Sequence, residues 1–161
     1  MARAQVAPRV RQAETGHRAL VVRRSILGML VGLVVQFCVG VAVNLYSGIP
    51  AGSKGLGVGG AIGHALADGA PSLVVHVVLG LALILGALGV MVRSAGLRHW
   101  GAVGASVVGL LALIGAAFSG VGYVSNADPS SSLAMAVLTA VALLAYVAIL
   151  YVLPTDSASP R

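Results

Sequence analysis

Charge is scarce in this chain of 161 residues: 9% of its side chains are charged and only four are acidic. A water-soluble domain of this size carries roughly a quarter charged residues. An ordinary soluble globule is therefore excluded, as are a disordered regulator and a nucleic-acid-binding domain, which both need a wetter surface. Cysteine is scarcer still. Cys38 stands alone inside an apolar stretch, which rules out an intrachain disulfide framework and a zinc-finger spacing together. The period-two alternation of a half-buried strand is also missing.

Hydrocarbon takes the place of what is absent. Apolar and aromatic residues make up 58% of the chain before its 22 glycines are added, and mean hydropathy is +1.01. Four runs, 25–45, 72–92, 100–120 and 129–153, hold no Asp, Glu, Lys or Arg in their interiors. About 20 such residues at ~1.5 Å rise cover a hydrocarbon core ~30 Å thick. A backbone in lipid must satisfy its own hydrogen bonds, so each run is expected to cross as a helix. The sequence thus predicts an all-α polytopic membrane protein, an antiparallel bundle of four transmembrane helices over 25–153. A basic disordered tail is expected over 1–24 and a short tail over 154–161. Arg23 and Arg24 ahead of the first run also resemble the start of a signal peptide, but the length of the run favours an uncleaved helix.

The ends of the runs carry helix signals. Asp128 before Pro129 offers a capping carboxylate and a first-turn proline that has no donor to leave unpaired; Pro71 opens the second span and Pro154 closes the fourth. The stretch 93–99 is short enough only for a tight turn, so spans two and three form a hairpin. Net charge is +6, and nine of the ten basic residues lie in the N-terminal tail, in the turn with Arg93 and Arg98, or at Arg161. That bias puts both termini in the cytoplasm. Tyr46 and Tyr123 then mark the outer interface, Trp100 and Tyr151 the inner one. Nine arginines against one lysine, in a chain rich in Ala, Gly, Val and Leu, suggest a high-GC bacterial genome and hence a bacterial cell membrane. The connection 47–70, with eight glycines, is expected to be a conformationally free loop over the outer mouth. Its GLGVGG stretch follows no strand, so it is no dinucleotide fingerprint.

Small residues at four-residue spacing let helix backbones approach closely. Gly28, Gly32, Gln36, Gly40 and Asn44 form such a ridge on the first span, Gly101, Ala105 and Gly109 on the third, and Ala82 and Gly86 on the second. The partner helix belongs either to the same chain or to another copy, and intrachain use is expected first. Gln36 and Asn44 are read as interhelical hydrogen-bonding groups, with substrate contact as the alternative.

His76 is the one titratable side chain well inside a span, ~7 Å below the outer boundary. An ionisable group in that position is a functional-site candidate. A neutral imidazole bonded to a neighbouring carbonyl or to Asn44 is the structural alternative. Met135 and Cys38 come to a similar depth, so His76, Cys38 and Met135 could share one metal-binding layer. His with Met is an axial pair for haem, and Cys, His and Met together suit copper. Methionine and cysteine are equally ordinary apolar fillers. His64 and Asp68 are expected to hydrate or lid the outer end, and His99 to anchor the inner interface. No carboxylate lies within the spans to orient His76, so no catalytic triad is supported. The lack of intramembrane charge disfavours transport.

The stretch VVQFCVGVAVNLY, a polar loop, and then HALADGAPSLVVHVVLGLALILGALGV resembles one four-helix half of haem A synthase over 34–90. It also resembles uncharacterised four-helix membrane proteins of actinobacteria that share the histidine before LGL. The resemblance implies that His76 ligates haem. It lacks the glutamate and His-Arg motif at the start of the second helix, and the fourth span offers Met135 rather than a histidine opposite His76. Two functions stand: a structural or accessory membrane protein acting through helix packing, with the bilayer, another copy of itself or a membrane protein as partner; or a haem- or metal-binding redox protein using His76 and Met135.

Overall fold

A computed structural model describes residues 3–47, 52, 54–97, 99–126 and 128–153, with side chains from residue 19 onward. Five helices follow in order: α1 (Arg3–Tyr46), α2 (Val58–Asp68), α3 (Pro71–Gly96), α4 (Trp100–Asn126) and α5 (Pro129–Val152). No strand occurs among the described residues. Four stretches are long and apolar enough to cross a membrane: Ala19–Tyr46, Pro71–Gly96, Trp100–Asn126 and Pro129–Val152. The all-α membrane bundle expected from the apolar runs is the fold observed.

Successive long helices are antiparallel neighbours, and α1 closes the ring against α5. The seam between α4 and α5 is the most extensive and that between α1 and α5 the slimmest; α2 rests on α3 and α4. One end of the bundle, the turn end, therefore holds the α3–α4 turn and the end of α5; the other is the α2 end. Asp128 caps α5 as its sequence suggests, with Oδ1 accepting from Ser130 N at 2.9 Å and Pro129 in the first turn. At the start of α4, His99 Nδ1 accepts from Ala102 N at 3.4 Å.

Most of the large buried side chains lie in the turn-end half. Val22, Ile26, Met29 and Leu33 of α1 meet Leu83 and Val90 of α3, Leu113 of α4, and Tyr146 and Ile149 of α5. Between helices in lipid this contact stabilises through dispersion rather than through removal of water. Ser94 and Ser106, both fully buried, meet there across α3 and α4 with their hydroxyl oxygens 3.1 Å apart.

Two segments depart from the sequence reading. The glycine-rich connection contains α2, because Ala61 and Ala65, one turn apart, are buried against the bundle. That contact offsets the ~1 kcal/mol per glycine by which the segment falls short of alanine as a helix former. The bend after α2 needs Gly69, where a Cβ would collide with the Ala65 carbonyl. The tail before the first span is helical from Arg3 onward, through Pro8 and Gly16: extending a helix that the span has already formed is cheap compared with nucleating a new one, although Pro8 removes one backbone donor. Arg98, Pro154 and the tail 154–161 lie outside the described residues, as do the side chains of Arg3, Arg9, Arg11 and Arg18.

Candidate functional site

The seam between α1 and α3 is built from side chains set into glycines, first from one helix and then from the other. Met29 Sδ lies 2.8 Å from where a Cβ on Gly86 would stand, and Leu83 Cδ2 lies 2.8 Å from that position on Gly32. Further along, Gln36 Nε2 is 3.0 Å from the same point on Gly80, and His76 Cε1 is 2.9 Å from it on Gly40. The Ser47 and Ser72 hydroxyls, 2.6 Å apart, close the seam at the α2 end. Each glycine lets the opposing helix come closer than any other residue could, and so brings Gln36 and His76 together.

Gln36 Nε2 donates to the His76 carbonyl oxygen at 3.1 Å and lies 3.4 Å from His76 Nε2. The carbonyl requires the amide nitrogen rather than its oxygen on that side, which fixes the orientation of the amide. An amide nitrogen only donates, so Nε2 accepts and the neutral ring keeps its proton on Nδ1. Two atoms are left over: Gln36 Oε1 and His76 Nδ1 are buried without a hydrogen-bond partner.

Both residues line a cavity of about 680 Å³ in the α2-end half, walled by all five helices. Leu33, Leu83 and Leu113, the edge of the packed half, form part of its lining. Small residues such as Ala116, Gly120, Ser132 and Ala136 line its α4 and α5 side. Phe37 and Val41 of α1, Leu81 of α3, Phe118 of α4 and Leu133 of α5 line the cavity and are exposed as well, so it is open on the sides of the bundle. Val58, Ala61, Ile62 and Ala65 bring α2 into the wall. Among the described residues no Asp, Glu, Lys or Arg contributes to the lining.

His76 and Met135 line this one cavity, Met135 with its sulfur 3.4 Å from the Cβ position of Gly120. Cys38 is exposed and does not line it. Equal depth fixes a residue's height but not its direction: residues two apart on a helix point about 200° apart, so Cys38 faces away from the seam that Gln36 faces. Among the described residues no group of three His, Cys, Asp or Glu side chains is placed to hold a metal ion.

Of the first ridge, Gly32, Gln36 and Gly40 meet α3, Asn44 is exposed at the cavity, and Gly28 has nothing within 4 Å of its Cβ position. His76 is partnered by Gln36 rather than by Asn44. On α4, Gly109 lies under the Tyr146 ring, a Cβ on Gly101 would stand 3.4 Å from His99 Cε1, and Ala105 is half-buried against the core. On α3, Gly86 receives Met29, and Ala82 is exposed. His64 Nδ1 and Asp68 Oδ2 are 2.7 Å apart along α2. Gly80 was not singled out by spacing alone, although it stands one turn beyond His76 and receives the Gln36 amide. Comparison with protein-family models, with curated proteins and with solved structures finds no match.

Proposed function

We propose that this integral membrane protein holds a small, largely apolar molecule, taken up sideways from the bilayer, in the cavity of its α2-end half. The observation that carries this reading is the hollow itself: about 680 Å³, within the range of small-molecule sites, beside a half that holds most of the large buried side chains. A bundle serving helix packing alone has no need of such a space. Extraction of the purified protein followed by mass spectrometry tests the reading. A stoichiometric apolar molecule that is lost in Ala136→Phe supports it; equal content in both proteins sinks it.

A second reading, haem held by His76 and Met135, rests on their sharing one cavity. The present ring geometry fits it poorly, since Nε2 accepts from Gln36 and Nδ1 carries the proton, which leaves the ring no free lone pair for iron. A Soret band lost in His76→Ala would favour haem over the apolar molecule. For orientation, Arg23 and Arg24 of α1 and Arg93 of α3 lie toward the turn end, which supports a cytoplasmic turn end with both termini beside it.

A further inference from the structure

The geometry points to a ligand headed by an uncharged hydroxyl, which donates to Gln36 Oε1 and accepts from His76 Nδ1; this deepens the cavity reading and rests on it. The hydrogen bonds that Gln36 already makes with His76 leave one acceptor and one donor unpaired. Each is costly in a medium without water. A hydroxyl carries both complementary functions on one oxygen. A methyl ether could meet only the donor, and a hydrocarbon neither. An ionised head group would enter a wall in which no described side chain carries a charge to pair with it. Tyr146 OH, the other buried unpaired atom among the described residues, belongs to a residue outside the lining, so the two buried unpaired atoms at the cavity are those of Gln36 and His76. Both are buried in the unliganded protein, so neighbouring atoms move aside to receive the head group while the Gln36–His76 hydrogen bonds are kept.

The test uses the full chain in lipid nanodiscs and three radiolabelled probes of matched shape: 4-decylphenol, its methyl ether 4-decylanisole, and decylbenzene. The expected result is saturable binding of all three, with the phenol about tenfold tighter than the ether because the ether leaves Oε1 unpaired. That gap closes in Gln36→Leu and in the longer-chained Gln36→Met, while Ala136→Phe removes saturable binding of every probe. Equal affinity of wild type for phenol and ether overturns the hydroxyl assignment and leaves the cavity reading standing. Absence of saturable binding for all three overturns both. Nitrogen-15 spectra of histidine-labelled protein, with His76→Leu to identify the signal, give a readout free of any ligand: a proton on Nε2 rather than Nδ1 overturns the donor assignment.

Discussion

The imidazole of His76 lies against Gly40 so closely that a Cβ there would stand 2.9 Å from Cε1. The same ridge offers its own control in Gly28, which faces open space. Gly40→Ala is expected to displace the ring and destabilise the bundle by about 1–3 kcal/mol, the usual cost of overpacking. Gly28→Ala should change stability by no more than about 1 kcal/mol and in the stabilising direction, through helix propensity. Unfolding titrations in mixed micelles measure both. Equal effects at the two positions would mean that the ridge serves contacts other than the seam with α3.

Gln36 and His76 should be energetically coupled, but weakly. A double-mutant cycle with Gln36→Leu and His76→Leu is expected to give about 0.6 kcal/mol, and no more than roughly 2, as for other interhelical hydrogen bonds in lipid. A coupling indistinguishable from zero would show that the amide and the ring do not meet.

Tyr146 separates the worth of a ring from the cost of its hydroxyl. The ring covers Gly109, with Cζ 2.9 Å from that residue's Cβ position, while OH is buried without a partner. Tyr146→Phe removes only the unpaired group and should be neutral or stabilising by up to ~1 kcal/mol. Tyr146→Ala leaves a cavity in the packed half and should cost about 3–5 kcal/mol. A marked loss of stability in Tyr146→Phe would reveal a hydrogen bond that the buried oxygen makes.

Four helices were legible in the sequence because length and freedom from charge suffice to define a span, and the caps at Pro71 and Asp128 fixed two of its ends. The helix α2 was not, since its glycines argue for a loop and only contact with α3 and α4 reverses that preference. The ridge of Gly32, Gln36 and Gly40 could be read from spacing on one helix. Which α3 residue fills each gap depends on the register between two helices, and spacing within either one carries no information about it. Depth placed Cys38 level with His76, but the helical turn between Gln36 and Cys38 sends that thiol to the other side.

Acid should loosen the start of α5. Hydrogen bonds from the Ser130 hydroxyl, and then from its amide, hold the Asp128 carboxyl below the usual carboxylate range. A carboxyl lowered in the folded state adds stability above its unfolded value, and that stability is lost as pH falls through the folded one. Wild type should therefore lose stability relative to Asp128→Ala on acidification below the ordinary aspartate range, with the difference constant at neutral pH. Parallel melting curves across that range would contradict the cap.

Orientation can be checked with thiols introduced into a Cys38→Ser background. In intact cells a membrane-impermeant maleimide should label Lys54→Cys, in the connection before α2, and spare Ala95→Cys, beside the α3–α4 turn. The reverse pattern would place the termini outside.

Because the first and the last helix both contribute to the wall of the hollow, there is no chamber until synthesis of the chain is nearly finished. A guest cannot be fully enclosed by the earlier helices as they emerge from the ribosome, and a product cut short before Pro129 would keep the Gln36–His76 seam but lack the α5 wall of the hollow. Occupancy should therefore report complete insertion of the protein, arriving only once α5 has taken its place.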